Sequence, residues 1–225
     1  MALDLPLFPL HTVLFPGGRL PLQIFEVRYL DLMRRCEKSG EPFGIVCLES
    51  GEEVRRAPRG DQMEAQSPSE TFAKVGTLAT LAQVEHPRPG LMFVLAEGGQ
   101  RFEIDQTQML PHGLWTAQVR LLPDDLPAPL PVEHVALPGR LQRLLQAMAE
   151  DGLEPGPPPP APDNPCWLDA GWLANRWAER LPLPADERQR MMSLDNPLWR
   201  LDLVAEWLGR LAQMDRGGDP RRPIS

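Results

Sequence analysis

Proline is the residue that most constrains what this chain can fold into, because it cannot donate a backbone hydrogen bond and it disrupts helices and central strands. The 225 residues include 27 prolines, about twice the ~5% share of an average protein. Many of them cluster, above all in LEPGPPPPAPDNP at 153–165 and along 123–131. We therefore expect linkers and turns at the clusters and regular elements between them.

Ahead of the first cluster, the apolar pattern predicts short strands around one helix. The helix should begin near Phe25 or Glu26 and end at Gly40, because apolar side chains from Tyr29 to Cys36 repeat with helical spacing. Several short strands around one helix indicate a small, closed or half-closed β-barrel. The predicted strands, with a hairpin turn at 97–100 (EGGQ), are 5–10, 12–15, 43–48, 71–85, 91–96, 101–105 and 114–122.

After Pro123 the pattern changes to helices, predicted at 132–150, 166–180, 184–193 and 196–213. The chain thus divides into a β-barrel subdomain at 1–123, a helical subdomain at 124–214 and a flexible tail at 215–225. The proline-rich segment 153–165 lies inside the helical subdomain. Residues 49–70 are polar and contain almost nothing to bury, so we expect a disordered loop or one that closes over a bound chain.

The formal net charge of −8 argues against a general nucleic-acid binder, which must neutralise phosphates with a basic surface. No apolar run of about 18 residues exists, so no transmembrane helix is expected. The apolar N-terminus also lacks the basic region of a signal peptide. Three widely spaced cysteines, Cys36, Cys47 and Cys166, predict neither a disulfide framework nor a zinc site. These features favour a cytoplasmic protein without a cofactor.

The segment at 5–33, LPLFPLHTVLFPGGRLPLQIFEVRYLDLM, is very similar to the opening of the Lon protease N-terminal domain, also called the Lon substrate-binding domain. FGIVCL, VGTLATL, GGQRFEI and LWTAQVRLLPDD follow in the order of that family, and the similarity continues to about residue 213. The resemblance implies an α+β fold, with a PUA-like β pseudo-barrel, one early helix and a C-terminal α-helical bundle. It also implies a domain that recognises protein substrates or partners, here in a stand-alone form.

Neither activity of a full Lon protease has its motif in this sequence. The ATPase needs a P-loop, GxxxxGK[ST], but neither Lys38 nor Lys74, the only lysines, follows a glycine. A serine–lysine peptidase pair must face each other, whereas Lys38 and Ser39, adjacent on a helix, point about 100° apart. The four histidines are scattered and predict no triad or metal site. We therefore expect a protein that is not an enzyme.

Two kinds of residue stand out as candidates for special roles. Glu26 lies in an apolar stretch, and since a buried charge should be paired, Arg101 is its predicted partner. The two helices predicted at 166–180 and 196–213 each have one apolar face for the core and a second apolar face on another side. Trp172, Trp199 and Trp207 lie on these second faces. Such helices are either sandwiched inside the molecule or exposed to a partner, so these tryptophans either pack between helices or form a binding or self-association surface.

Together these patterns predict a non-catalytic protein-binding module that resembles the Lon substrate-recognition domain. Its partners would be proteins or unfolded polypeptide segments, and it could act as a client adaptor for a separate protease or chaperone. The alternative is an RNA-binding PUA-like module. Against that alternative stand the net charge, the two lysines and the lack of interleaved basic and aromatic residues on any predicted strand.

Overall fold

The structure is a computed structural model, and it describes residues 3–51, 70–152 and 160–217, with side chains to Met214. Most of the predicted loop at 49–70, half of the proline-rich segment and residues 218–225 of the predicted tail lie outside the described residues. Residues 215–217 of that tail instead continue the last helix. The fold is α+β, as predicted, with seven strands and five helices in the described part of the chain.

The strands form a closed ring in which β1 pairs with β7, β7 with β6, β6 with β5, β5 with β3, and β3 with β1. This closure confirms the predicted pseudo-barrel, and it requires the one parallel pairing of the ring, between β1 and β3. The strands are β1 (Leu3–Leu10), β2 (Arg19–Ile24), β3 (Phe43–Ser50), β4 (Thr71–Phe72), β5 (Val75–Arg88), β6 (Leu91–Met109) and β7 (Trp115–Leu121).

The early helix α1 (Val27–Ser39) covers one face of the barrel with the predicted side chains, including Tyr29, Met33 and Cys36. It ends at Gly40, which has the left-handed backbone conformation common at helix C-termini, with a φ of 73°. The Gly40 N–H donates to the Cys36 carbonyl. Ser39 closes the same helix end, since its hydroxyl donates to the Arg35 carbonyl at 2.9 Å.

The prediction was wrong at 12–15, which is not a strand, and it missed β2. β2 contains a proline, Pro21, which cannot donate a hydrogen bond to a neighbouring strand. The Gly98 N–H donates to the Gly18 carbonyl, and the register then runs through Leu20↔Ala96 and Leu22↔Val94. Because bonded residues alternate along an antiparallel pair, Pro21 points its backbone away from β6. Among the described residues β2 pairs only with β6, so the missing N–H falls on the free side of the strand, where proline is tolerated.

The predicted hairpin turn at 97–100 is also wrong, because β6 runs straight through it. Gly98 is needed instead for a close approach of two backbones. Its N–H donates to the Gly18 carbonyl and its carbonyl accepts from Gly17, both at 2.8 Å. A Cβ at Gly98 would overlap the carbonyl oxygen of Phe15, whereas one at Gly99 would lie 3.6 Å from its nearest neighbour.

Four helices follow the barrel: α2 (Leu137–Glu150), α3 (Ala170–Ala178), α4 (Ala185–Ser193) and α5 (Pro197–Gly217). The helices predicted at 132–150 and 166–180 were too long, because each predicted range begins with a short 3₁₀ turn. These turns, at Val132–His134 and Pro165–Leu168, precede α2 and α3. Asp169 separates the second turn from α3, because its side chain accepts the Trp172 N–H at 2.7 Å and so caps the helix. No helix among the described residues is both long and apolar enough to span a membrane.

The barrel and the helices share one hydrophobic core. The core beneath α3 and α5 includes Val13, Phe15, Cys47 and Ala73 from the strand half of the chain. Two further cores lie under α1 and around Phe102. The boundary between 1–123 and 124–214 therefore separates two kinds of secondary structure that are packed against each other.

We predict that Gly98→Ala strongly destabilises the protein, because the added methyl group must displace the backbone of Phe15. We expect a loss of about 2 kcal/mol or more in the free energy of unfolding, the scale of an overpacked site. Gly99→Ala is the matched control and should change that free energy by less than about 1 kcal/mol. Urea unfolding of the two variants measures the difference, and equal effects would contradict the close approach.

Candidate functional site

The junction of barrel and helices is organised by Arg200 of α5, of which only 1% is exposed. Its guanidinium donates to Asp125 at 2.6 Å and to Asn175 of α3 at 2.9 Å. It also donates to the carbonyls of Met191 and Leu194, just before α5. A buried charge is tolerated only when it is paired and hydrogen-bonded, and this network meets that condition.

Arg101 of β6 joins the same network from the barrel side. It is 4% exposed and donates to the carbonyls of Met192 and Leu194 at 3.1 and 3.0 Å. Its other nitrogen lies 3.5 Å from Asp125 and 3.3 Å from Asp195. The carboxylate of Asp125 thus stands between one arginine of the barrel and one of the bundle.

Arg101 is therefore not the partner of Glu26, and that prediction was wrong. Glu26 pairs with Arg28 at 3.0 Å, and Arg28 reaches on to the Gly113 carbonyl at 2.7 Å. The requirement that a half-buried carboxylate be paired was correct. The partner lies two residues away, a distance at which the turn into α1 brings the two side chains together.

A groove of about 510 Å³ opens at the surface of the junction. Its walls are the segment 123–128, which follows β7, and the start of α5. We call it the junction groove. Its lining is largely apolar, and three of its residues are charged: Arg101, Asp124 and Asp195. The other lining residues are Pro123, Leu126, Pro127, Ala128, Asn196, Pro197 and Leu198.

One wall of the junction groove is held in place by backbone bonds to the bundle. The Ala128 N–H donates to Asp169, and the Ala128 carbonyl accepts from Ala170 at 2.8 Å. Two residues later, the Leu130 N–H donates to the Leu168 carbonyl at 2.9 Å. The wall is thus fixed although no regular helix or strand contains it.

Large apolar side chains are exposed along this groove. Leu126 is 81% exposed and Leu198, on the α5 wall, is 36% exposed. Trp199 follows Leu198 on α5, just outside the groove lining, and is 64% exposed. Neighbouring parts of the helical half expose Val132, Val135 and Leu168 as well. An exposed group of this kind is typical of a surface that contacts another chain.

The three tryptophans singled out from the sequence have different surroundings. Trp172 is half-buried and packs edge-on against Trp167, with 4.8 Å between ring centroids. Trp207 is half-buried too, and the Arg210 guanidinium lies over its ring at 5.0 Å. Trp199 alone of the three is largely exposed. Sequence spacing grouped them, but it could not reveal which of them the neighbouring helices cover.

The solvent-exposed charges at the junction groove are negative. Asp195 is 83% exposed beyond its contact with Arg101, and Asp124 is exposed without an ion pair among the described residues. One turn after Trp199, Asp202 lies on the same side of α5 and contacts His134 at 2.8 Å. Sequence reasoning missed the groove, because Asp124, Leu126 and Leu198 form no local motif.

The cysteines are free thiols, and burial raises the pKa of the thiols of Cys36 and Cys47. Among the described residues, no group of three or more histidine, cysteine, aspartate or glutamate side chains is arranged to hold a metal ion. The side chains of the junction itself are thus hydrogen-bonding, charged and apolar groups that can contact a chain.

Fold and groove together define an α+β domain in which a closed β-barrel and a helical bundle share a core and form an apolar groove at their junction. The family model of the ATP-dependent protease La (LON) substrate-binding domain matches residues 4–210, and the chain belongs to this family. The resemblance inferred from residues 5–33 and the later segments is thereby confirmed.

Solved structures agree with this assignment. The crystal structure of a Lon N-terminal domain protein from Xanthomonas campestris superposes with a TM-score of 0.64 and 28% identity, over 91% of this chain and 98% of that one. The N-terminal domain of the Mycobacterium avium complex Lon protease, at 16% identity, shares the fold with a TM-score of 0.53, over 91% of this chain and 97% of that one.

Whole Lon proteases match over only a small part of their length. The Lon protease of Flavobacterium johnsoniae is 24% identical over 198 residues, which are 87% of this chain and 22% of that protein. The chain thus spans about a fifth of the length of this curated relative.

We predict that Arg200→Met lowers the free energy of unfolding by about 3–5 kcal/mol, because it removes one of the two arginines that contact Asp125 and takes the donor from the Met191 carbonyl and the Asn175 side chain. Arg34→Met is the matched control, since it removes an exposed pair with Asp31 on α1, and it should cost less than about 1 kcal/mol. Chemical denaturation of both variants checks this. A small effect of Arg200→Met would show that the network contributes little to stability.

Because Trp199 is exposed and has acidic neighbours, we predict that a cation and an anion quench its fluorescence to different extents. Relative to the quenching of free tryptophan by the same ion, caesium should quench more strongly than iodide, because Asp195 and Asp202 attract cations and repel anions. Trp199→Phe should remove most of this difference, while Trp172→Phe should leave it. Equal relative quenching by the two ions in the unsubstituted protein would contradict the acidic surroundings.

Proposed function

We propose that this chain is a non-catalytic module that binds exposed apolar segments of protein chains in the junction groove. Membership of the Lon substrate-binding family supports recognition of polypeptides as the general role. The free thiols support the cytoplasmic setting expected from the sequence. Delivery of clients to a separate protease or chaperone is the biological role that we propose for it.

The observation that carries the proposal is the exposure of Leu126 and Trp199 on a rigid frame. Apolar side chains that cannot be covered by their own chain gain free energy when a partner removes them from water. Large aromatic residues dominate such contacts. The bonds from Ala128 to α3 and from Arg200 to Asp125 hold the groove in one shape, which lowers the entropy cost of binding.

The three predicted tryptophans contribute unequally in this proposal. Trp199 contacts the bound segment directly. Trp172 and Trp207, each half-buried and packed against the bundle core, support the helices behind it and offer their remaining surface to a longer segment. Self-association through the same apolar surface is the competing use of these residues, and it is testable by the dependence of molecular mass on concentration.

RNA binding remains the alternative from a different class, but specific contacts weigh against it. Several exposed arginines already pair with carboxylates, among them Arg34 with Asp31, Arg120 with Glu103 and Arg210 with Glu206. Paired arginines neutralise phosphates poorly, since each must first give up its partner.

We predict saturable binding of a labelled, permanently unfolded protein, measured by fluorescence anisotropy. The double variant Leu126→Ser, Trp199→Ser should raise the Kd by about tenfold or more, because it removes the central apolar contacts. Val27→Ser is the matched control, since Val27 is 72% exposed but lies on α1 in the barrel half. It should leave the Kd unchanged.

Two results would overturn the proposal. Absence of binding up to high micromolar concentration would exclude general capture of apolar segments. Binding that the groove variant leaves intact would place the contact elsewhere on the chain. A labelled RNA titrated in parallel tests the alternative, which predicts retention that falls steeply with added salt.

A further inference from the structure

We infer that the junction groove selects apolar segments flanked by lysine or arginine over the same segments flanked by acidic residues. This inference rests on the proposed function and specifies the chemistry of its ligand. It is drawn from the charges that a bound segment would meet in the groove lining and further along α5.

Among the described residues, the one cation that lines the groove is not available to a ligand. Arg101 is 4% exposed, and its nitrogens already engage two carbonyls and two carboxylates, those of Asp125 and Asp195. A guanidinium with its donors occupied in this way presents little of its positive field to solvent. A glutamate on a bound segment would therefore find no free positive partner on the groove lining.

The carboxylates at the rim differ from Arg101 in their exposure. Asp195 directs one edge at Arg101 while 83% of its side chain faces solvent. Asp124 is exposed, and among the described residues no ion pair engages it. Both line the same groove as Leu126 and Leu198. A basic residue next to an apolar one on a bound segment can thus reach a carboxylate while its neighbour occupies the groove.

The acidic character continues along α5 past the groove. Asp202 is 63% exposed and lies one turn from Trp199. The next exposed cation on this helix, Arg210, is paired with Glu206. A segment that extends from the groove across Trp199 therefore meets further negative charge, so a basic residue is favoured at that end too.

The expected preference is modest because the carboxylates are exposed. Exposed ion pairs each contribute a few tenths of a kcal/mol up to about 1. Two such contacts, with repulsion of the acidic segment, give a preference of about threefold to thirtyfold at low salt. Added salt should shrink the preference, since it screens charges separated by more than about 10 Å at 0.1 M.

The test uses two labelled peptides with the same central leucine and tryptophan residues, one flanked by lysines and the other by glutamates. The full chain is titrated into each at low and at high ionic strength. The lysine peptide should bind about threefold to thirtyfold more tightly at low salt, and the two Kd values should converge at high salt. The double variant Asp124→Asn, Asp195→Asn should remove most of the low-salt preference.

A matched control separates the local charges from the net charge of the protein. Glu85→Gln with Asp105→Asn removes two exposed carboxylates that lie outside the groove lining. This control should keep the preference, because only carboxylates near the bound segment interact strongly with it. Unfolding midpoints of both double variants verify that the fold is retained.

The outcomes distinguish this inference from the proposed function. Equal binding of both peptides, weakened by Leu126→Ser, overturns the charge preference and leaves the groove as a general apolar site. A preference that both double variants lose equally also overturns it, because net charge alone would then be the cause. Binding of neither peptide overturns the proposed function itself. Concentration-dependent dimerisation that Leu126→Ser abolishes would show that a second copy occupies the groove, and it too overturns the inference.

Discussion

The carboxylate of Asp125 is the point on which the two halves of this protein depend. It lies between Arg101 of the barrel and Arg200 of the bundle, and it is itself mostly buried. Without it, Arg200 would be buried with no carboxylate partner among the described residues, and Arg101 would keep only the exposed Asp195, which is a costly arrangement. The same side chain therefore fixes how the segment after β7 leaves the barrel and where α5 begins.

The junction groove is a consequence of that arrangement. Its walls, the segment 123–128 and the start of α5, both attach to the buried network and to α3. The proline-rich composition of the first wall is suited to this role, since proline restricts the backbone without needing partners for an N–H. Exposed apolar side chains such as Leu126 are thus presented on a frame that does not collapse around them, and the acidic rim limits which segments gain from contact.

Sequence patterns predicted most helices and strands, but they failed where the same residue type can have more than one structural role. Gly98 was interpreted as a turn residue, yet it allows two backbones to approach within β6. The sequence analysis missed β2, which contains Pro21 and pairs only with β6 among the described residues. Trp199 and Trp207 share a helical stripe, but the neighbouring groups cover only one of them well. At Gly98 and in β2 the deciding contact comes from a distant part of the chain, so no local pattern could contain it.

The sequence by itself determined the α+β class, the early helix, the order of strands before helices and the family, because apolar periodicity and a long ordered motif are local properties. Only the tertiary structure decided the partner of Glu26, the closure of the barrel through β1 and β3, and the site where Leu126 and Asp195 meet. The barrel closure and the groove join residues far apart in the chain, whereas the pair of Glu26 and Arg28 depends on the turn into α1. Which groups come together thus depends on packing and on the pairing of buried charges rather than on spacing.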